Sequence, residues 1–253
     1  MCSSPLLSVE HISKSYSSSF CLLKSANQQV LNDVSFHLDK GQSLGLVGES
    51  GSGKSTLARL ICGIEKPDCG SIWLNEQSIF KPSNRLNSIS LVFQDYQSSI
   101  NPTMTVFQAI SEPLRIQGNY TLSQLQQRVV EYLDKVNLSA DLMSHYVYQL
   151  SGGQAQRVCI CRALITHPSL IVLDEPVSSL DLVTQVQILD LLIRLKQDFN
   201  LSYFFITHNI QVLCYLCEQV LFFKQGQIVE QSAVQNLKNV TSDYAIKLLS
   251  SVI

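Results

Sequence analysis

One short stretch limits what this chain can fold into more than any other part of the sequence. It reads Gly48-Glu49-Ser50-Gly51-Ser52-Gly53-Lys54-Ser55-Thr56. The pattern G-x-x-x-x-G-K-[ST] is that of a phosphate loop, in which glycines let backbone N–H groups approach a phosphate closely. Lys54 would place an ammonium against the β- and γ-phosphates, and Ser55 would offer a hydroxyl to Mg²⁺. The alternative is an ordinary turn rich in glycine and serine.

The residues around this stretch favour the phosphate-binding interpretation. Ser43 to Val47 is a short apolar run typical of a buried strand, and Leu57 to Cys62 has a helical pattern. A phosphate loop requires this order of strand, loop and helix, because the positive end of the helix dipole then faces the phosphates.

The composition indicates a globular chain with a large core. Of its 253 residues, 45% are hydrophobic and 15% are charged. The formal net charge of −2 provides no basic surface for nucleic acid, so we expect no nucleic-acid partner. No apolar run approaches the roughly 18 residues that cross a bilayer. Met1 to Pro5 lacks a basic region followed by an apolar one, so we expect no signal peptide.

Eight cysteines are scattered along the chain. We expect a cytosolic nucleotide-binding protein to keep them reduced. Cys214 and Cys217 have C-x-x-C spacing inside a predicted helix from Ile210 to Glu218. We interpret both as buried small hydrophobes, with a metal or redox role as the alternative.

Apolar runs alternate with helical patterns along the chain, which predicts an α/β sheet covered on both faces. The predicted strands are 7–12, 30–38, 43–47, 71–74, 89–93, 170–175, 203–208, 219–223 and 227–230. A polar section with helical spacing, from about Val106 to Tyr148, separates two halves that are rich in strands. We predict one domain with a core of about 7–94 and 166–253 and an inserted helical lobe of about 95–165.

Polar residues follow several of the predicted strands. They are Gln94, Asp174, Glu175 and His208. Phosphate sites lie at the carboxyl ends of such strands, so we expect these side chains to converge on Lys54. Tyr16, after the first strand, is either an aromatic packed in the sheet or a ring that stacks on adenine.

These motifs, in this order, resemble those of the ATP-binding cassette (ABC) family over nearly the whole chain. The resemblance rests on Tyr16, the phosphate loop, Gln94, Leu-Ser-Gly-Gly-Gln at 150–154, Leu170 to Glu175, Ser179-Leu180-Asp181 and His208. The five-residue signature at 150–154 is close to diagnostic beside a phosphate loop. The implied fold is a RecA-like P-loop NTPase core with an antiparallel β subdomain and an inserted helical lobe.

The resemblance also implies a role for each matched side chain. Asp174 resembles the carboxylate that holds Mg²⁺ through water, alongside Ser55. Glu175 resembles the general base for the attacking water, with a salt bridge as the alternative role. His208 resembles the residue that contacts the γ-phosphate, although a lone histidine is usually only a satisfied surface or core group. Gln94 resembles the sensor that reaches Mg²⁺ or water.

The signature implies that two cassettes act together. Ser151 and the N–H groups of Gly152 and Gly153 would form a second anion cradle beside Gln154, at the start of a helix predicted from Ala155 to about Thr166. In the family this cradle closes on the ATP of the opposite subunit, and Asp181 resembles the residue that crosses between the two sites.

Within the family, the importer ATPases for nickel, dipeptides and oligopeptides are the most similar. The matching stretches are 45–59, 92–95 with Asn101-Pro102, 156–164 and 242–250, and the nickel branch is favoured by 30–35, 149–150, 177–178 and 225–230. The implied function is ATP hydrolysis with Mg²⁺ that drives uptake of nickel or another chelated transition metal. The alternatives are a peptide importer and a non-transport ABC ATPase that acts on ribosomes or DNA.

The same resemblance implies the partners and the location. They are a second ABC ATPase in a hetero- or homodimer, two transmembrane permease subunits and an extracytoplasmic solute-binding protein. The chain would lie on the cytoplasmic face of the bacterial inner membrane. Two residues depart from the family pattern, Asn209 in place of aspartate and Val177 in place of threonine. Neither is expected to contact the phosphates, so we expect activity to survive.

Overall fold

The computed structural model describes residues 4–17, 27–81, 84, 88–94 and 99–250. The polar, serine-rich stretch from Ser17 to Gln29 predicts a hairpin loop, most of which lies outside these residues, as do Cys2 and Cys21. The chain divides into two compact units, one formed by Met1–Leu86 and Ser202–Ile253 and the other by Asn87–Leu201. The proposed division into a core and a helical lobe has other boundaries and stays a prediction.

The described residues contain strands and helices in alternation, as predicted for an α/β protein. The strands are β1 (Leu7–Ser17), β2 (Asn27–Leu38), β3 (Ser43–Val47), β4 (Cys69–Leu74), β5 (Gln77–Ser78), β6 (Ile89–Val92), β7 (Leu170–Asp174), β8 (Ser202–Thr207), β9 (Gln219–Lys224) and β10 (Gln227–Ala233). The helices are α1 (Lys54–Ile61), α2 (Val106–Gln117), α3 (Leu122–Lys135), α4 (Gly152–Leu164), α5 (Leu182–Phe199), α6 (Ile210–Leu216) and α7 (Asp243–Ser250). Short 3₁₀ turns span Ala140–Ser144, Val147–Gln149 and Val234–Asn239.

The first unit contains two kinds of sheet. β1 pairs antiparallel with β2 and β4, and β4 pairs antiparallel with β5. β3 pairs in parallel with both β8 and β9, and β10 continues from β9 as an antiparallel hairpin. Every residue of β3 and β8 is buried, which explains why both read as continuous runs rather than as alternating patterns.

The second unit combines one parallel strand pair with the longer helices. β6 runs parallel to β7, with Val92 opposite Leu173 at the carboxyl ends. α2 and α3 each begin with a reciprocal capping box, in which a threonine and a glutamine three residues later cap one another. None of the helices within the described residues has the length and apolar character needed to span a bilayer.

The two cysteines with C-x-x-C spacing differ in burial. Cys217 is buried at the end of α6, as predicted, but Cys214 is exposed, so its interpretation as a buried hydrophobe is wrong. The buried face of this short helix includes Ile210, Leu213 and Leu216. Cys214 falls outside that i, i+3, i+6 stripe, which accounts for its exposure.

Candidate functional site

The phosphate loop forms a tight turn between β3 and α1. Gly48 follows the buried strand, and a Cβ at this position would lie 2.1 Å from the carbonyl oxygen of Phe223 in β9, so only glycine fits. The Ser52 N–H donates to the Glu49 carbonyl at 3.3 Å, and the Ser52 carbonyl accepts the Gly226 N–H at 3.0 Å. The neighbouring hairpin of β9 and β10 therefore shapes one side of the loop.

Lys54 is the first residue of α1 and is only 6% exposed. Its Nζ donates to the carbonyl oxygens of Gly48 and Glu49, each at 2.8 Å. These two carbonyl groups hold the ammonium against the loop. A lysine ammonium held in a phosphate loop can bind an anionic phosphate group.

The start of α1 offers further donors of the kind that a phosphate takes. The first intrahelical hydrogen bond runs from the Leu57 N–H to the Gly53 carbonyl at 3.0 Å, so the N–H groups of the first turn face out of the helix end. The N-cap, Gly53, supplies no side-chain cap, and the first turn carries no acidic residue. Among the described residues, the buried Ser52 Oγ has no hydrogen-bond partner. These features fit a bound phosphate.

Tyr16 is held at both its hydroxyl and its ring. The hydroxyl donates to Glu65 Oε2, and Glu65 Oε1 accepts from Arg59 Nε at 2.6 Å. Arg59 also donates to Thr56 Oγ1 at 3.3 Å, so the chain of hydrogen bonds ends in α1. Lys14 Nζ lies 5.5 Å from the ring centroid. The hydrogen bond from Tyr16, followed by that from Arg59, lowers the pKa of Glu65.

His208 leaves the same sheet edge as the phosphate loop. It follows β8, whose last residue Thr207 pairs in parallel with Val47 at the end of β3. His208 itself is exposed. Asn209 is the N-cap of α6, and its Oδ1 accepts two backbone N–H groups of the first turn at 2.9 and 3.4 Å. Asparagine and aspartate cap helices about equally well, so the departure at Asn209 preserves this turn.

Gln94 and Asp174 leave one edge of the parallel pair in the second unit, because β6 and β7 run in register to their carboxyl ends. Gln94 is exposed, whereas Asp174 is only 6% exposed. A carboxylate with so little exposure is best stabilised by a cation. Mg²⁺ takes oxygen ligands, and the carboxylate of Asp174 and the amide of Gln94 are oxygen donors. The donor chemistry fits the predicted metal role.

Glu175 has a backbone conformation that side chains seldom adopt. Its φ of 48° lies in the left-handed region. Its carbonyl accepts the Ser178 N–H at 3.3 Å and the Ser178 hydroxyl at 3.1 Å, which closes a turn directly after β7. Strained residues of this kind cluster at functional sites, so the conformation supports a chemical role for this glutamate.

The signature residues form the first turn of α4, whereas the sequence predicted a helix from Ala155. Ser151 is the N-cap: its Oγ accepts the Gln154 N–H at 3.3 Å, and Gln154 Oε1 accepts the Ser151 N–H at 3.0 Å. This reciprocal cap starts the helix despite its two glycines. The N–H groups of Gly152 and Gly153 therefore lie at the positive helix end, as the predicted anion cradle requires.

Thr184 connects the signature to Asp181, which is the N-cap of α5. Asp181 Oδ1 accepts the Thr184 N–H at 3.0 Å, and Asp181 Oδ2 accepts the Thr184 hydroxyl at 2.7 Å. These bonds, led by the hydroxyl, lower the pKa of Asp181. A Cβ on Gly153 would lie 2.7 Å from Thr184 Cγ2. The structure thus brings together two parts of the chain that were predicted to act on a second cassette.

Glu65 and Thr184, which hold Tyr16 and Asp181, were not among the predicted site residues. Neither was Tyr244, whose hydroxyl accepts the Glu49 N–H of the phosphate loop at 3.1 Å. Thr184 had a signal in the sequence, because Asp-x-x-Thr spacing is that of an N-cap and its N3 residue. Glu65 and Tyr244 had no signal in the neighbouring sequence. Their partners lie 49 and 195 positions away along the chain.

Comparison with known proteins gives consistent results. Residues 31–178 match the family model described as "ABC transporter". The chain is 41% identical over 244 residues to the metal-staphylopine import system ATP-binding protein CntF of Staphylococcus aureus (strain NCTC 8325 / PS 47), covering 96% of this chain and 98% of that protein. It is 38% identical over 253 residues to the nickel import ATP-binding protein NikE of Escherichia coli O157:H7, covering 98% and 94%.

Solved structures with the same fold are also found. One is the dimeric, post-hydrolysis structure of the ATP-binding cassette MJ0796 bound to ADP and Pi, with a TM-score of 0.80, 27% identity and coverage of 90% of this chain and 98% of that chain. Another is cbiO1 of Clostridium perfringens, part of the complex cbiONQ, with a TM-score of 0.79, 24% identity and coverage of 99% and 100%. The second likeness concerns the fold alone.

Proposed function

This chain belongs to the ABC transporter family, and we propose that it powers the import of nickel or another chelated transition metal. It is an ATP-binding, ATP-hydrolysing subunit of an ABC importer. The observation that carries ATP binding is the buried Lys54 ammonium, held by the Gly48 and Glu49 carbonyls at the start of α1. The metal cargo is supported by the names of the relatives that match nearly its whole length.

On the phosphate side, we assign binding to Lys54 and the N–H groups of the first turn of α1. The ammonium neutralises charge on the β- and γ-phosphates, and the N–H groups donate to their oxygens. The buried Ser52 hydroxyl adds a donor that has no partner among the described residues. The Tyr16 ring stacks on the adenine, in an orientation set by its hydrogen bond to Glu65.

We assign the Mg²⁺ site to oxygen donors from Ser55, Gln94 and Asp174, partly through water. Bound Mg²⁺ would neutralise charge on the transferred phosphoryl group. Asp174 is suited to this role because it is only 6% exposed, and bound Mg²⁺ would stabilise a carboxylate with so little access to solvent. The hydroxyl of Ser55 is exposed at the helix start, where a ligand can reach it.

Hydrolysis is assigned to Glu175 and His208. Glu175 accepts a proton from the attacking water as the water oxygen forms its bond to the γ-phosphorus. The bond from that phosphorus to the β–γ bridging oxygen breaks, and ADP leaves with the electron pair. His208 contacts the γ-phosphate and keeps the water in line. The left-handed backbone of Glu175 would fix the direction in which its side chain leaves the strand.

The signature and Asp181 would complete the site of a second cassette rather than their own. The N–H groups of Gly152 and Gly153 would close on the partner's ATP, with Ser151, Gln154 and Asp181 in support. Two cassettes would then close on two ATP molecules and open after hydrolysis. This movement would be passed to two permease subunits, and an extracytoplasmic binding protein would deliver the solute to them. The chain would work at the cytoplasmic face of the inner membrane.

Two substitutions test the catalytic part of the proposal. Glu175→Gln removes the base but keeps the shape, so ATP binding should persist while turnover falls by about a hundredfold or more. Lys54→Ala should lose ATP binding itself. Fluorescent-nucleotide titration and phosphate release measure the two properties separately. Wild-type turnover by Glu175→Gln would contradict the assignment.

A dipeptide or oligopeptide importer is the second candidate. The stretch 242–250, Ser-Asp-Tyr-Ala-Ile-Lys-Leu-Leu-Ser, resembles the whole group of nickel and peptide importer ATPases rather than one branch. Since the cargo does not touch this subunit, the residues of its ATP site are expected to be the same for both cargoes. Uptake of radiolabelled nickel and of a dipeptide, measured side by side, does.

A further inference from the structure

The carboxyl-terminal helix α7 reaches the phosphate loop through one side chain. Tyr244 Oη accepts the backbone N–H of Glu49 at 3.1 Å. The tyrosine is only 7% exposed, and Lys224 Nζ lies 5.1 Å from its ring centroid. None of the roles assigned above uses this contact.

The contact bears on Lys54 because of the peptide group it involves. The Glu49 N–H and the Gly48 carbonyl belong to the same planar peptide unit. On one side this unit donates to Tyr244, and on the other its carbonyl accepts from Lys54 Nζ at 2.8 Å. Hydrogen bonding at the N–H polarises the unit and strengthens its carbonyl as an acceptor. Tyr244 therefore fixes the plane of the group that holds the ammonium.

The start of α7 is itself anchored, so the position of Tyr244 is defined. The Glu230 carboxylate of β10 accepts the N–H of Thr241 at 2.8 Å and the N–H of Ser242 at 2.9 Å. It also accepts both hydroxyls, at 3.3 and 2.7 Å. Ser242 Oγ in turn accepts the Ala245 N–H at 3.2 Å, which caps the helix.

We propose that Tyr244 is a positioning residue for ATP binding: it orients the Gly48–Glu49 peptide and thereby the Lys54 ammonium. This gives a role to the stretch 242–250, which the assigned function leaves unused. The inference rests on one part of the proposed function, namely that the phosphate loop binds ATP.

The direct test is Tyr244→Phe in the full chain, because this change removes one hydroxyl and keeps the packed ring. We expect the Kd for a fluorescent ATP analogue to rise about three- to tenfold, the effect of one lost hydrogen bond. The KM for ATP should rise in parallel, and kcat should stay within about twofold. Tyr120→Phe, which removes a hydroxyl in the other compact unit, is the matched control and should change neither constant.

Glu230→Gln provides a second variant that leaves the tyrosine in place. It weakens the anchor of α7, so nucleotide affinity should fall in the same direction but by less. The double variant should bind ATP no more weakly than Tyr244→Phe alone, because both substitutions act through the contact between Tyr244 and Glu49. Additive losses in the double variant, or a Kd within twofold of wild type in Tyr244→Phe, would overturn the inference.

Hydrogen exchange adds a measurement that does not depend on catalysis. ATP should slow amide exchange in residues 243–250 of the wild type, and this protection should be lost in Tyr244→Phe, because coupling between two sites is reciprocal. Unchanged protection in the variant would contradict the role. Lys54→Ala tests the proposed function separately from the role of Tyr244. Normal ATP binding by Lys54→Ala would overturn the proposed function. Failure of the Tyr244 tests alone would overturn only this inference.

Discussion

The hydroxyl of Thr184 donates a hydrogen bond of 2.7 Å to Asp181 Oδ2. This bond fixes the rotamer of the threonine and points its methyl group at Gly153, where an added Cβ would lie 2.7 Å from it. The spacing of the signature helix α4 from α5 is therefore set by a side chain that cannot turn away without breaking its bond to Asp181.

This arrangement predicts a rescue experiment. Gly153→Ala should reduce ATPase activity by about tenfold or more, because the new methyl forces α4 away from α5. Thr184→Ser keeps the hydroxyl but removes the methyl, so it should be close to wild type by itself. The double variant should recover most of the lost activity. If it stays as impaired as Gly153→Ala, steric contact with Thr184 is not the reason for the glycine.

The hydrogen bond from Tyr16 to Glu65 predicts an effect on binding and not on chemistry. Tyr16→Phe and Glu65→Ala should each raise the KM for ATP a few-fold with little change in kcat, because each releases the ring from its fixed orientation. Combining them should add nothing further, since one bond is lost in either case. Steady-state kinetics of the three variants decide the matter, and fully additive effects would show that the two residues act separately.

His167 predicts a pH dependence of stability. Its Nε2 lies 2.7 Å from the Tyr132 hydroxyl, and burial, followed by the positive charge of Arg128, lowers its pKa. The folded pKa is below the unfolded value of about 6.5, so this stabilisation is complete above that pH and is lost as the pH falls through the lowered pKa. The urea midpoint should therefore drop between pH 7 and 5.

The matched control for this prediction is His167→Asn. The φ of His167 is 55°, a left-handed conformation that asparagine adopts readily, so the backbone should be kept. The variant should be less stable at pH 7 but should show a shallower fall toward pH 5. An unchanged slope would mean that another group is responsible for the pH dependence.

Asp174 predicts a metal-specific defect. Asp174→Asn replaces a buried carboxylate by a neutral group of the same shape, so folding should be kept while the Mg²⁺ concentration for half-maximal ATPase activity rises. Binding of ATP without Mg²⁺, in the presence of a chelator, should change little. The same Mg²⁺ dependence in the variant and in the wild type would remove Asp174 from the proposed site.

Much of the fold could be predicted from local sequence patterns, because the buried strands form continuous apolar runs with clear ends. β3 begins and ends at the predicted residues, β7 ends one residue earlier than predicted, and β8 is shifted by one residue at each end. The agreement is close because continuous apolar runs between polar residues leave few choices. The α/β class and the family follow from such runs and from the ordered motifs. The roles of the site residues stay predictions, since they depend on ligands and on a second cassette.

The errors arise where a side-chain contact overrides a local preference. Gly152 and Gly153 favour a turn, but the reciprocal cap between Ser151 and Gln154 places both in a helix. Cys214 is exposed because the short helix α6 buries a narrow stripe. The partners of Tyr244 and Glu65 become visible only when distant parts of the chain are in place, so no periodicity could predict them.

The central claim is best tested by metal uptake. Cells in which the wild-type chain is replaced by Lys54→Ala should lose accumulation of radiolabelled nickel, while dipeptide uptake, measured in the same cells, stays normal. Tyr120→Phe, as the control, should retain both. Loss of dipeptide uptake alone would leave the ATPase mechanism standing but contradict the metal cargo. Normal uptake of both nickel and dipeptide by Lys54→Ala cells would contradict the account.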